Sequence, residues 1–83
     1  MSCVIYCMLY ENVPIYIGRT KNFEARVATH KTKSIIKNFP IYRKIREVGI
    51  ENIVFAPLMY CSYKNRKEME KLYYKQYKNT CKY

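Results

Sequence analysis

Eight consecutive residues, Cys3-Val4-Ile5-Tyr6-Cys7-Met8-Leu9-Tyr10, are all apolar or aromatic. A run this short with no polar alternation reads as a central β-strand buried on both faces. As a helix it is far too short to cross a membrane. Glu11-Asn12-Val13-Pro14 reads as a turn, and Ile15-Tyr16-Ile17 as a second strand ended by Gly18. The two strands should form a hairpin, with Cys3 and Cys7 on one side of it.

The remaining chain alternates helical and extended patterns. Asn22 is a helix N-cap candidate. From Phe23 to His30 a helix is expected, with Phe23, Val27 and His30 at helical spacing and Arg26 beside them. Lys31 to Asn38 is basic and reads as a loop. Pro40 can open a second helix, with Ile41, Ile45 and Val48 as its apolar stripe and Gly49 as its end. Ile53 to Tyr60 reads as a third strand, and Pro57 requires a sheet edge or a bulge there. A last helix is expected over Arg66 to Lys78, with Met69, Leu72, Tyr73 and Gln76 inward. The expected fold is α+β: a three-stranded antiparallel sheet flanked by helices, order β-β-α-α-β-α, in one domain over residues 1–83. A chain of this length buries only about 60–65% of its unfolded surface, so the core is small.

The charge balance narrows the partners. Sixteen Lys and Arg face six acids, all of them Glu, for a net charge of +10. Such a surface suits a polyanion, nucleic acid first, with an anionic membrane or an acidic protein behind it. Arg19, Lys21, Lys31, Lys33, Lys37, Lys44 and Lys64 are the candidate phosphate contacts. Cys3, Cys7, Cys61 and Cys81 contain no C-x-x-C pair, and His30 is the sole histidine. That spacing fits neither a zinc site nor a redox motif, and Cys3 and Cys7 read as small apolar core residues. With no secretory leader pattern ahead of the first strand, the setting expected is reducing and intracellular, cytoplasm or nucleus.

A hydrolase built from this chain has no Asp and no Ser-His-acid set, so Tyr, Arg, His, Glu and a metal must carry the chemistry. Tyr6 and Tyr16 can meet on one face of the hairpin. Arg26 and His30, four apart, share a helix face. Glu70, and on composition equally Glu68, can offer a carboxylate at the rim of the sheet. One carboxylate with waters and substrate oxygens can hold Mg²⁺, which polarises a scissile phosphate. Arg26 can stabilise the charge growing on that phosphate. Tyr6 can act as base if nearby cations depress its pKa from about 10, with His30 accepting its proton or orienting it. Taken singly each residue has a bland reading: packing for the tyrosines, a surface pair for Arg26 and His30, a solvated helix position for Glu70.

The ordered series nevertheless resembles the GIY-YIG nucleases. Val4-Ile5-Tyr6 and Tyr16-Ile17-Gly18, ten residues apart, resemble the paired signature. The likeness continues through Gly18-Arg19-Thr20, Asn22, Arg26, His30-Lys31, Tyr42-Arg43-Lys44-Ile45, Val48 to Asn52, Glu70 to Tyr74 and Tyr77 to Thr80. It covers nearly the whole chain, and its middle and end look more like the homing-endonuclease and viral branches. Val4 stands where the name motif has its first Gly, and a β-branched residue suits a strand. Many members end in Gly-Tyr-Asn after the last helix. Here only Asn79 stands near that place.

The resemblance implies a DNA endonuclease that uses one Mg²⁺ or Mn²⁺ ion and leaves a 5′-phosphate and a 3′-hydroxyl. By position it implies Tyr6 as general base or water-orienting group, Tyr16 as its partner, Arg26 as the phosphate-stabilising arginine, His30 as the tyrosine's helper and Glu70 as metal ligand. The separate DNA-binding domain that many relatives carry is not in these 83 residues. The chain is then a fragment, or it finds its substrate by charge, by shape or through a protein partner. No element reads bases, which makes branched or distorted DNA the fitting target. The alternative is a module of the same fold that binds nucleic acid with little or no cutting. A third reading, a basic structural or membrane-surface protein, predicts no dependence on divalent metal.

Overall fold

A computed structural model describes residues 2–83. Strands β1 (Ser2–Tyr10) and β2 (Val13–Thr20) form the expected hairpin around a loop of only two residues. Glu11 and Asn12 both take left-handed backbone, φ 52° and 64°. Two-residue hairpin loops need that conformation to match the twist of their strands. Val13 and Pro14 therefore belong to β2 and not to the turn.

Helices α1 (Phe23–Ile36) and α2 (Pro40–Val48), strand β3 (Ile53–Ser62) and helix α3 (Arg66–Gln76) follow. The sheet is antiparallel throughout, with strand order β2-β1-β3. This is the α+β architecture, order β-β-α-α-β-α. The apolar run occupies the central strand, and Cys3 to Met8 are all buried. Met8, Ile15, Ile41, Tyr42, Ile45 and Ile53 form one core cluster between the sheet and α2. Ile5, Cys7, Ile17 and Cys81 form a second, with Met69, Tyr73 and Tyr77 of the C-terminal segment packed against it.

Both edge strands carry irregularities. Ile5 pairs with Met59 but Tyr6 with Pro57, so Leu58 is an extra residue in β3 beside the proline. Pro57 thus sits at an edge and at a bulge together. In β2, Met8 pairs with Tyr16 and Leu9 with Pro14, so Ile15 is the extra residue. The bulge lets adjacent Ile15 and Tyr16 reach the same core cluster.

Four further boundaries differ from the sequence reading. Gly18 lies inside β2, paired with Tyr6, and does not end the strand. Helix α1 runs six residues beyond His30, through what reads as a basic loop. Arg46 of α2 explains the extension: its Nη1 donates to the carbonyls of Ser34 and Lys37, each at 2.7 Å, and its Nη2 to Asn38 Oδ1 at 2.8 Å. Carbonyls at a helix end lack intrahelical partners, and a guanidinium there satisfies them and suits the dipole. The third strand continues to Ser62. Helix α3 stops at Gln76, and Leu72, 56% exposed, and Gln76 do not lie inward. Met69, Tyr73 and Tyr77 recur every four residues and take that face instead. Gly49 ends α2 as expected, at φ 91°, where a side chain would be strained.

Candidate active site

Tyr6 is the centre of the candidate site. From β1 it faces the α1 side, where its ring meets Phe23 edge-on at 5.9 Å and lies 5.8 Å from His30. Only 1% of Tyr6 is exposed. Its ring crosses its strand partner Gly18, and a Cβ at Gly18 would fall 2.5 Å from Tyr6 Oη and 2.6 Å from Cζ. The absent side chain is what admits the tyrosine. Tyr16, on the neighbouring strand, sits 6.3 Å from Tyr6 and 5.8 Å from His30, ring centre to ring centre.

His30, 3% exposed, is bonded on both nitrogens: Nε2 to Tyr6 Oη at 2.7 Å and Nδ1 to Tyr42 Oη at 3.0 Å. A neutral imidazole has one donor and one acceptor, so the two bonds run in one sense around the ring. With the proton on Nδ1, His30 donates to Tyr42 and accepts from Tyr6. The other tautomer reverses both. Burial, then the charges of Arg26 and Lys33, push the His30 pKa down to about 4, so the ring is neutral at physiological pH.

The depressed pKa that Tyr6 would need to act as a base is not found. Burial and then Tyr16 raise the Tyr6 pKa well above 10; the Arg26 charge lowers it but is outweighed. A standing tyrosinate at Tyr6 is therefore disfavoured in this state. Burial and the nearby Glu70 raise Tyr16 as well. Arg26 itself is exposed at the mouth of a cleft of about 640 Å³. Its charge acts on Tyr6, Tyr16, His30 and Tyr42 alike.

Glu70 projects from α3 toward the end of β2. Its Oε2 accepts from Arg19 Nη1 at 2.6 Å, and 26% of the side chain is exposed. Its charge reaches Tyr16. Among the described residues no three His, Cys, Asp or Glu cluster as a metal cage. The donor set fits one hard cation that keeps its waters and draws further ligands from substrate, the habit of Mg²⁺.

A family description, the GIY-YIG catalytic domain, matches residues 2–83. The chain belongs to the GIY-YIG family. It is accordingly a nuclease domain of a phosphodiester-hydrolysing family whose members typically use a divalent metal. No curated protein and no solved structure gave a match.

The GIY-YIG motif thus has a local reason here: the second motif's glycine makes room for the first motif's tyrosine. The proposed phosphate contacts scatter. Arg19 and Lys21 line the cleft with Arg26. Lys31 lines a different hollow with Phe23 and Val27, and Lys33 a small one with Thr29. Lys37 and Lys64 are exposed outside these. Lys44 packs over the Tyr10 ring at 5.4 Å, in a hollow beside the hairpin turn that also holds Asn79. Sequence reasoning gave no role to Tyr42, whose hydroxyl completes the His30 bonding. Its place between Ile41 and Ile45 gave no sign of that, since the partner lies twelve residues back. Nor did it single out Tyr63 and Arg66, which line the cleft.

Among the described residues no helix is long and apolar enough to cross a membrane.

Proposed function

We propose that this domain is a DNA endonuclease in which Tyr6 positions and deprotonates the attacking water, His30 receives the Tyr6 proton, and Glu70 holds one Mg²⁺ or Mn²⁺ ion. The observation that carries this reading is the buried 2.7 Å bond between Tyr6 Oη and the Nε2 of a neutral His30. A tyrosine whose burial disfavours the phenolate cannot serve as a pre-formed base. It can pass a proton on: as Oη takes one from water, its own moves to Nε2, whose lone pair is available in the Nδ1–H tautomer. The bond from Nδ1–H to Tyr42 steadies that tautomer and offsets part of what burial, Arg26 and Lys33 set against a positive ring. Tyr16 borders the same space and orients the water with Tyr6. Arg26 stabilises charge developing on the phosphate oxygens. When bound, the cation polarises the scissile phosphate and stabilises the leaving oxygen. The products expected are a 5′-phosphate and a 3′-hydroxyl.

The segments Tyr42 to Ile45 and Glu70 to Tyr74 support placing this domain near the homing-endonuclease and viral branches. The reading takes residues 1–83 as one catalytic domain working inside the cell. No segment of the sequence reads out a base code, so branched or distorted DNA, or targeting by a protein partner, fits best.

The test is cleavage of supercoiled plasmid and of a branched DNA with Mg²⁺, Mn²⁺ or EDTA, for wild type and Glu70→Ala. Metal-dependent cutting lost in Glu70→Ala, with DNA binding kept, is expected. Tight, salt-sensitive binding with no cutting under any metal would instead make this a binding module of the same fold.

A further inference from the structure

The cleft lined by Arg26 also takes in Tyr63 and Arg66 at the start of α3. Its walls carry Arg19, Lys21, Arg26 and Arg66, and no lining residue is acidic. Lys21 and Arg66 are organised around one ring: Lys21 Nζ lies 4.4 Å and Arg66 Cζ 3.7 Å from the Tyr63 centroid. Arg66 Nη1 also donates to the Tyr63 carbonyl at 2.8 Å. Among the described residues neither cation has a carboxylate partner, whereas Arg19 is drawn to Glu70. Two like charges within 4.4 Å of one ring centre repel each other. Attraction to the ring face offsets that only in part. An anion in the cleft that both residues line would relieve it. With cations over it, the Tyr63 ring serves to hold them in place and not as a platform for a base.

We infer that Lys21 and Arg66, held by Tyr63, form a second phosphate subsite that takes a backbone phosphodiester of the bound strand next to the one cut at Tyr6. The inference deepens the nuclease reading and rests on it for the identity of the ligand. Arg26, shared between the cleft and the tyrosines, links the two phosphate positions. The subsite fixes the register of the strand and supplies affinity without sequence preference.

The experiment is fluorescence anisotropy of a short fluorescein-labelled duplex DNA, in EDTA to prevent cutting, across a salt series. The proteins are wild type, Lys21→Gln, Arg66→Gln, Arg66→Lys and Lys75→Gln, the last in the final turn of α3. Each phosphate contact contributes about −0.9 to the slope of log K against log salt. Lys21→Gln and Arg66→Gln should each reduce the slope by about that much and weaken binding roughly five- to ten-fold near 100 mM salt. Arg66→Lys keeps the charge and should keep most of the slope, even if losing the bond to Tyr63 lowers the melting temperature. Wild-type slopes in both Gln variants would overturn the subsite. So would an equal loss in Lys75→Gln, which would mean diffuse charge. These slopes are read without metal, so they decide the subsite whether or not the domain cuts. An absence of metal-dependent cutting with the expected slopes would count against the nuclease reading alone.

Discussion

Arg19 donates from Nη1 to Glu70 Oε2 at 2.6 Å, so the carboxylate whose charge reaches Tyr16 already carries a cation of the protein's own. If Glu70 is the metal ligand, Arg19 competes with the metal for it. The pair is part-exposed, and such pairs contribute on the order of 0.2–1 kcal/mol. Arg19→Gln should therefore tighten Mn²⁺ binding by about 1.4- to 5-fold, read from free Mn²⁺ by electron paramagnetic resonance, while Glu70→Gln loses it. Unchanged Mn²⁺ affinity in Arg19→Gln would show that the ion pair opens at no cost.

Removing the Tyr6 hydroxyl separates chemistry from folding. Tyr6→Phe keeps the ring in its place over Gly18 but leaves His30 Nε2 without its partner. A cost of about 1–3 kcal/mol in stability is expected. Cleavage should slow by roughly 10²–10⁴-fold, the usual share of a general base, with DNA affinity kept. A rate within a factor of a few of wild type would remove Tyr6 from the proton path.

Gly18→Ala tests the packing behind the motif. The new methyl meets Tyr6 Oη and Cζ inside 2.7 Å, so the ring must move. Overpacking of this kind costs about 1–3 kcal/mol, and the displaced hydroxyl should lose His30. In a Tyr6→Ala background the same substitution should cost much less, because its partner in the clash is gone. Urea denaturation of the four proteins measures the coupling, and additive costs would show that the clash is relieved elsewhere.

The depressed His30 pKa makes a signed prediction. Its value falls from 6.5 to about 4 on folding, so the unfolded chain binds more protons between those pH values. Stability from His30 is then complete above about pH 6.5 and is lost as pH falls toward 4, by up to about 3 kcal/mol. The urea midpoint should drop over that window in wild type and drop less in His30→Gln. Parallel curves for the two proteins would mean that His30 is not held neutral by the fold.

Much of this molecule is local information. The apolar run of β1, the stripe of α2 closed by Gly49 and the proline of β3 each state their structure within a few residues. The strand periodicity likewise puts Tyr6 and Tyr16 on one face. Where the sequence reading fell short, the deciding partner was distant. The basic stretch after His30 continues α1 because Arg46, on the next helix, satisfies its last carbonyls. The inner face of α3 was misphased at Leu72 and Gln76 because the Met69, Tyr73 and Tyr77 alignment depends on how the helix lies against Cys7 and Ile17.

By itself the sequence determined the element order, the central strand, the basic surface and the residue types available for chemistry. These follow from side-chain periodicity and charge, which act over a few positions or are sums over the chain. The tertiary structure alone decided that Gly18 makes room for Tyr6, that Tyr42 completes the bonding of His30, and that Arg19 occupies Glu70. It also decided the sign of the Tyr6 pKa shift, because burial outweighs a neighbouring cation only once the ring is enclosed. Desolvation and hydrogen bonding depend on distances between segments 12 to 51 residues apart, and those distances exist only in the folded chain.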